Sequence, residues 1–195
     1  MKMLSGKKSA LIAALTVSVT VVAATPASAA WQILGSWTNV KQANTNWCWA
    51  ADDDAILAHY GYTSPTQADI VNYVFNTTTA PNNPASDSQT QNALYHYGVS
   101  TNAFSAPLGF LEIKAQISGD ETINGNKPIL VHWNWTNQSV GHAVVAIGWS
   151  TENATNQVRY MDPADGNAYW MPSQDFISDG KHTWTSGLKD AWAYK

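Results

Sequence analysis

The stretch Gln42-Ala43-Asn44-Thr45-Asn46-Trp47-Cys48-Trp49-Ala50-Ala51-Asp52-Asp53-Asp54 holds the only cysteine of a 195-residue chain and changes character at that residue. Polar Asn, Thr and Gln dominate before it. Beyond it Ala50, Ala51, Ala55, Ile56, Leu57, Ala58 and Tyr60 recur at helical spacing as far as Gly61, a residue suited to ending a helix. The pattern predicts a helix from about Trp47 to Tyr60 with Cys48 in its first turn. Aligned peptide dipoles place roughly half a positive charge there, which favours thiolate over thiol. Cys48 is therefore a candidate nucleophile. The competing reading is a structural cysteine, because free cysteine is among the most buried residue types.

Upstream, Lys2, Lys7 and Lys8 form a basic head, Ala10 to Ala24 is uncharged and apolar, and Ala27-Ser28-Ala29 supplies the small residues of a signal-peptidase site. Residues 1–30 read as a secretory signal cut after Ala29 or Ala30, and the apolar run of about 15 residues is short for a membrane span. Removing its three lysines leaves 7 basic against 14 acidic residues, a net charge of −7. That balance argues against nucleic acid or an anionic membrane as a partner. The expected product is an exported, monomeric protein of one domain, residues 31–195. A single cysteine rules out an internal disulfide, and an exported chain that keeps one thiol invites a chemical reason for it.

Along the mature chain, Trp31 to Val40 reads as an extended lead-in. Ser64, Pro65 and Gln67 are placed to start a second helix, whose inward face is Ile70, Val71, Val74 and Phe75. A third begins near Ser86 or Asp87 and stops at Gly98, with Ala93, Leu94 and Tyr95 inward. Val99 to Phe104 is a short strand and Gly109 to Ile117 a fourth helix. After the polar turn 120–127 and Pro128 the pattern becomes β-rich at 129–133, 143–149, 158–161, 168–171, 181–185 and 191–194. Helices first and strands second indicate an α+β domain. Its helical lobe spans about 42–120 and its antiparallel β lobe about 126–195, with the site in the cleft between them.

A cysteine nucleophile needs a base, a group that orients the base, and donors for the developing oxyanion. His59 lies eleven residues along the helix of Cys48, about 16 Å away and out of reach. His96 and His182 read as surface residues. His142 follows Gly141 at the mouth of an uninterrupted apolar strand, whereas His132 is embedded between Val131 and Trp133, so His142 is preferred as base. Asp162, fixed by Pro163, closes the next strand and is either the orienting group or a turn-former. Gln42, six residues before Cys48, is near enough to share an oxyanion with the Cys48 backbone N–H.

Gln42, Asn46-Trp47-Cys48-Trp49-Ala50, Gly141-His142 with the strand to Gly148, and Tyr160-Met161-Asp162-Pro163 together resemble the papain-like cysteine peptidases. Papain has asparagine at the third catalytic position; Asp162 is similar instead to the bacterial effector-type branch that uses Cys-His-Asp. The resemblance runs from about Gln42 to Met171. It implies a papain-like fold and peptide-bond hydrolysis through a thioester. Cys48 would attack, His142 would move the proton, Asp162 would hold the ring, and Gln42 would bind the oxyanion. The substrate would be a protein or peptide, and no cofactor or metal is called for. Relatives of this kind usually carry a long prodomain and several disulfides, and neither is visible here.

Trp47 and Trp49 flank the sulfur and are candidate substrate contacts, although core or cleft walls explain them as well. Asp52, Asp53 and Asp54 look like a metal cluster, but successive helical positions point about 100° apart and do not converge on one ion. Acids near a helix start simply suit its dipole. Three rival readings remain open: an amidase or acyltransferase with the same triad, for instance on cell-wall peptide; a secreted binding module with a structural Cys48; and a metal-dependent hydrolase using His132, His142 and Asp162.

Overall fold

The structure, a computed structural model, describes residues 30–119, 124–152 and 155–195. Apart from Ala30, the expected signal segment lies outside the described residues, as does part of the polar turn before Pro128. A short strand β1, Trp31–Ile33, leads into helix α1, Cys48–His59, with Trp47 and Tyr60 as its end residues. Gly61 follows at φ +88°, a left-handed conformation that a side chain would strain. Helix α1 is buried on nearly every side, the mark of a central helix rather than an amphipathic surface one.

Helix α2, Gln67–Phe75, starts two residues later than the sequence pattern implies. Thr66 caps it, its hydroxyl accepting from the Asp69 N–H while the Asp69 carboxylate accepts from the Thr66 N–H. Gln67 is not part of that box, because its amide is used elsewhere: it accepts from the Ala43 N–H and donates to the Lys41 carbonyl, pinning the loop that leads to Cys48. Helix α3, Asp87–Tyr97, has the expected Ser86 cap, here in a box with Gln89, and ends at Gly98. Ala93 and Leu94 point into the core, but Tyr95 is 59% exposed and stacks on Tyr194 instead.

Strand β2, Val99–Phe104, and helix α4, Phe110–Ser118, come next, followed by β3, Ile129–Trp135, β4, His142–Ser150, β5, Gln157–Asp162, and β6, Asn167–Pro172. A short helix α5, Ser173–Ile177, too brief to show a periodic pattern, precedes β7, His182–Ala193. The two late strands expected at 181–185 and 191–194 are this one strand. Its polar middle reads as an interruption but is absorbed by irregular pairing: β7 shifts register against both β2 and β3, Gly187 passes close to the Leu130 carbonyl, and Asp190 adopts φ +56°.

All pairings are antiparallel, in the order β2-β7-β3-β4-β5-β6, with β1 added on β4. The fold is α+β, as expected, and the sheet takes β1 and β2 from the first half of the chain. Helices α1 and α4 pack on β4, α3 on β2 and β7, and α5 on β5, β6 and β7. Between them lie Ile56, Leu57, Ile70, Leu94, Ile113 and the buried run Ala143 to Ile147. Each of the fully buried Val, Leu and Ile side chains among them contributes about 1.5–3 kcal/mol, less the entropy of ordering it. The result is a rigid frame in which the first residue of α1 faces the first residue of β4.

Candidate active site

Cys48 is the first residue of α1, half-buried and free. Trp47, at the cap position, makes no side-chain hydrogen bond to the helix, so the leading backbone N–H groups lack the partner that Ser, Thr or Asp would give them. The positive end of the helix dipole therefore lies at Cys48. Cys48 lines a cavity of about 720 Å³ together with Gln42, Trp49, His142 and Asp162.

His142 opens β4, directly across the ladder from Trp133. Gly141 makes that approach possible: a Cβ there would lie 2.5 Å from the Trp133 carbonyl oxygen. Nε2 of His142 is 2.7 Å from Oδ1 of Asp162, and the ring is also hydrogen-bonded to Cys48. With Nε2 committed to Asp162, Nδ1 is the nitrogen left for the sulfur. Burial opposes a charge on this ring, yet the hydrogen bonds to Asp162 and Cys48, with the negative charges of both, push it up to about 9. Trp135 stacks on the imidazole at 5.9 Å and 16°.

Asp162 is held by the turn that follows it. Its Oδ1 also accepts from the Ala164 N–H, its carbonyl accepts from the Gly166 N–H, and the next carbonyl, of Pro163, accepts from the Gln42 N–H. The loop before Cys48 is thereby tied to the turn that carries Asp162. Gln42 reaches the cavity, but its amide nitrogen donates to the carbonyls of Asn44 and Thr45, both at 2.8 Å. Trp49 is in the cavity wall. Trp47 is not: it is buried, its indole N–H donating to the Pro81 carbonyl, which makes it a core anchor for the 81–83 loop rather than a substrate contact.

The other histidines separate cleanly. His132 Nδ1 is hydrogen-bonded to Asp87 in the wall of the same cavity. Burial works against the charge of Asp87, but the hydrogen bond and charge of His132 and the hydroxyl of Ser186 hold its carboxyl below the usual range. His59 bonds to the Asn126 carbonyl, and His96 stacks on Tyr73. His182, expected at the surface, is 2% exposed, because its ring lies flat on Trp133 at 3.9 Å and bonds to the Phe176 carbonyl.

Two acids also overturn the expectation of a solvated helix start. Asp52 and Asp53 are fully buried, and none of their carboxylate oxygens has a hydrogen-bond partner among the described residues. Burial, then the charges of Cys48, Asp53 and Asp162, raise Asp52 well above the usual carboxylate range; burial and Asp54 do the same for Asp53. Burial therefore favours the protonated form of both. Helical spacing carried this signal: Cys48, Asp52 and Ile56 form one stripe and Trp49, Asp53 and Leu57 another. Among the described residues no group of three or more His, Cys, Asp or Glu is arranged to hold a metal ion. His132 and His142 each turn to a separate carboxylate.

A family model described as papain-like cysteine protease AvrRpt2 matches residues 34–180. No curated protein gives a match. Among solved structures, a double glycine motif protease from an AMS/PCAT transporter, in complex with the leader peptide, is similar at 18% identity and a TM-score of 0.55, over 81% of this chain and 94% of that one. The peptidase domain of Streptococcus ComA, a bifunctional ABC transporter of a quorum-sensing pathway, is similar at 18% identity and a TM-score of 0.54, over 78% and 98%. At that identity the two structures speak to the fold, and they share it. With its lone cysteine at a helix start facing a histidine, and with the family model spanning most of its length, this chain belongs to the papain-like cysteine proteases of the AvrRpt2 family.

Proposed function

We propose that the protein is an exported peptidase that cleaves peptide bonds through a thioester on Cys48, with His142 as acid and base and Asp162 as the group that orients it. One observation carries the reading: Cys48, His142 and Asp162 form a continuous hydrogen-bonded run at an uncapped helix start inside an open cavity. The raised basicity of His142 favours the ion pair of Cys48 thiolate and His142 imidazolium. In the first step Sγ bonds to the scissile carbonyl carbon, and the carbonyl oxygen takes up the negative charge. The Cys48 N–H and the Gln42 amide stabilise it; for Gln42 this means exchanging its bond to Asn44 or Thr45 for the oxyanion.

As the tetrahedral centre collapses, the C–N bond breaks and Nδ1–H of His142 protonates the leaving amine. The acyl group remains as a thioester. Water then attacks that carbonyl, giving one proton to His142, and the C–S bond breaks to release the carboxylic acid and restore the thiolate. Throughout, the Nε2–H bond to Asp162 fixes which nitrogen faces the sulfur. A peptide substrate is supported by the transporter protease similar in fold, which is seen with a leader peptide. Export rests on the basic, apolar and small-residue pattern of residues 1–30.

The lone thiol makes the test direct. Iodoacetamide should label Cys48 rapidly at pH 5, His142→Ala should slow that labelling, and a peptide library should show cleavage by the mature chain. Cleavage that persists in Cys48→Ala would overturn the mechanism. N-terminal sequencing of the exported product should begin at Ala30 or Trp31; a product retaining Lys2 would remove the export reading.

A further inference from the structure

The cavity that holds Cys48 has a second pole. Its wall also contains Asp87, the first residue of α3, and His132 on β3, joined through Nδ1 of the ring. Ser86, Thr185 and Ser186 complete that end. Neither partner is sealed in: the His132 side chain is 17% exposed and that of Asp87 25%. Among the described residues His132 Nε2 has no hydrogen-bond partner, and it is not sealed from solvent. In the neutral ring, an Nδ1–H that donates to Asp87 leaves Nε2 as an acceptor. Strand β3 is otherwise apolar from Ile129 to Val131, so this imidazole interrupts a run that packing alone would fill with another aliphatic group.

The ionisable groups of the wall are Cys48, His142, Asp162, Asp87 and His132, and no lysine or arginine lines it. With Cys48 and His142 as an ion pair, the carboxylates of Asp162 and Asp87 add negative charge that no lysine or arginine of the wall offsets. The carboxylate of Asp162 already faces the imidazolium of His142, whereas Asp87 faces only a ring that is not permanently charged. The mature chain, with 7 basic and 14 acidic residues, adds an attractive field for cations.

We propose that the His132–Asp87 pair is a recognition subsite for a basic side chain of the peptide substrate, a lysine or arginine near the scissile bond donating to His132 Nε2 while Asp87 balances its charge. The inference rests on the peptidase reading above and names the class of substrate it selects.

Matched peptides that carry lysine, norleucine or glutamate at one position, scanned across the cleavage site at pH 8, test it. At one position the wild-type protein should prefer lysine to norleucine by roughly tenfold in kcat/KM, the scale of one charge-assisted hydrogen bond. Asp87→Asn, and independently His132→Gln, should bring that ratio to within about twofold. Because the ratio is read within each protein, a variant that turns over slowly still reports it. Protection of Cys48 from iodoacetamide by non-cleavable versions of the same peptides gives the preference without turnover. Hydrolysis with no lysine preference, or a preference that survives both substitutions, overturns the subsite and leaves the peptidase reading standing. Lysine-dependent protection without hydrolysis of any peptide does the reverse. Protection equal for lysine and norleucine overturns the subsite.

Discussion

Replacing Asp162 by asparagine should lower the pH at which His142 releases its ring proton by more than about one pH unit. In the native protein the imidazole is held up to about 9, against 6.5 for a free histidine, and that difference is worth about 3 kcal/mol. Burial acts in the opposite sense, so the favourable contacts outweigh it by that amount, and the hydrogen bond to Asp162 is the largest of them. Asparagine keeps an oxygen that can accept from Nε2 but loses the charge, and a neutral bond is roughly half as strong as a charge-assisted one. At pH 8 about nine-tenths of the native imidazole is protonated; in the variant the fraction should fall to half or less.

Titration of the ring carbon-bound proton resonances, with the His142 signal assigned by its loss in His142→Gln, measures this directly. Asp165→Asn is the control, because the Asp165 carboxylate bonds to Tyr169 and the Asn167 N–H rather than to His142. The midpoint belongs to the coupled Cys48–His142 pair rather than to the ring alone. For stability the sign is set by a folded value above the unfolded one. The contribution of His142 is complete below about 6.5 and is lost as pH rises through about 9. A native midpoint at or below 6.5, or one that does not move in Asp162→Asn, would refute the reasoning.

Three further outcomes follow from the geometry. Asp53 keeps its proton in the folded state over a range where the unfolded chain has released it, so stability should fall as pH rises above about 4; Asp53→Asn should match the native Tm at pH 4 and exceed it by about 5 °C at pH 8, and parallel pH profiles would contradict this. Gly141→Ala drives a methyl into the Trp133 carbonyl and should displace His142, lowering the rate of Cys48 labelling at pH 5 by about 10²-fold with the fold intact by circular dichroism; an unchanged rate would mean the hairpin yields without moving the ring. Ser86→Ala removes the capping box of α3 and should cost about 1 kcal/mol, a fall in Tm of about 3 °C by calorimetry.

The buried acids give α1 an unusual task. One turn beyond Cys48 the helix carries Asp52, which is buried and close enough to Cys48 for charge on that residue to raise its pKa further. Ionised, it would repel any negative charge on the neighbouring sulfur; protonated, it does not. The same two side chains lower the stability of the fold as the medium becomes more alkaline. Site and scaffold are thus linked by one helix.

The linear chain determined the parts whose physics is local. The apolar spacing after Cys48 and the turn at Gly61 specified α1, Ser86 and Gly98 bounded α3, and the β-rich runs after Pro128 gave an α+β class. The residues Cys48, His142 and Asp162 could be singled out because each stands at the end of such an element. Tertiary structure decided everything that depends on which surface meets which. The α2 cap moved because Gln67 was claimed by the loop at Lys41 and Ala43. The two late strands fused because bulges tolerate a polar middle. His182 went inside because Trp133 offered a flat face. Asp52 and Asp53 lost their water where α1 packs on β4, and Asp87 met His132, 45 residues further along the chain, only once the strands were paired. Propensity and spacing act over a few residues; burial and charge pairing act across contacts that exist only once the sheet has closed.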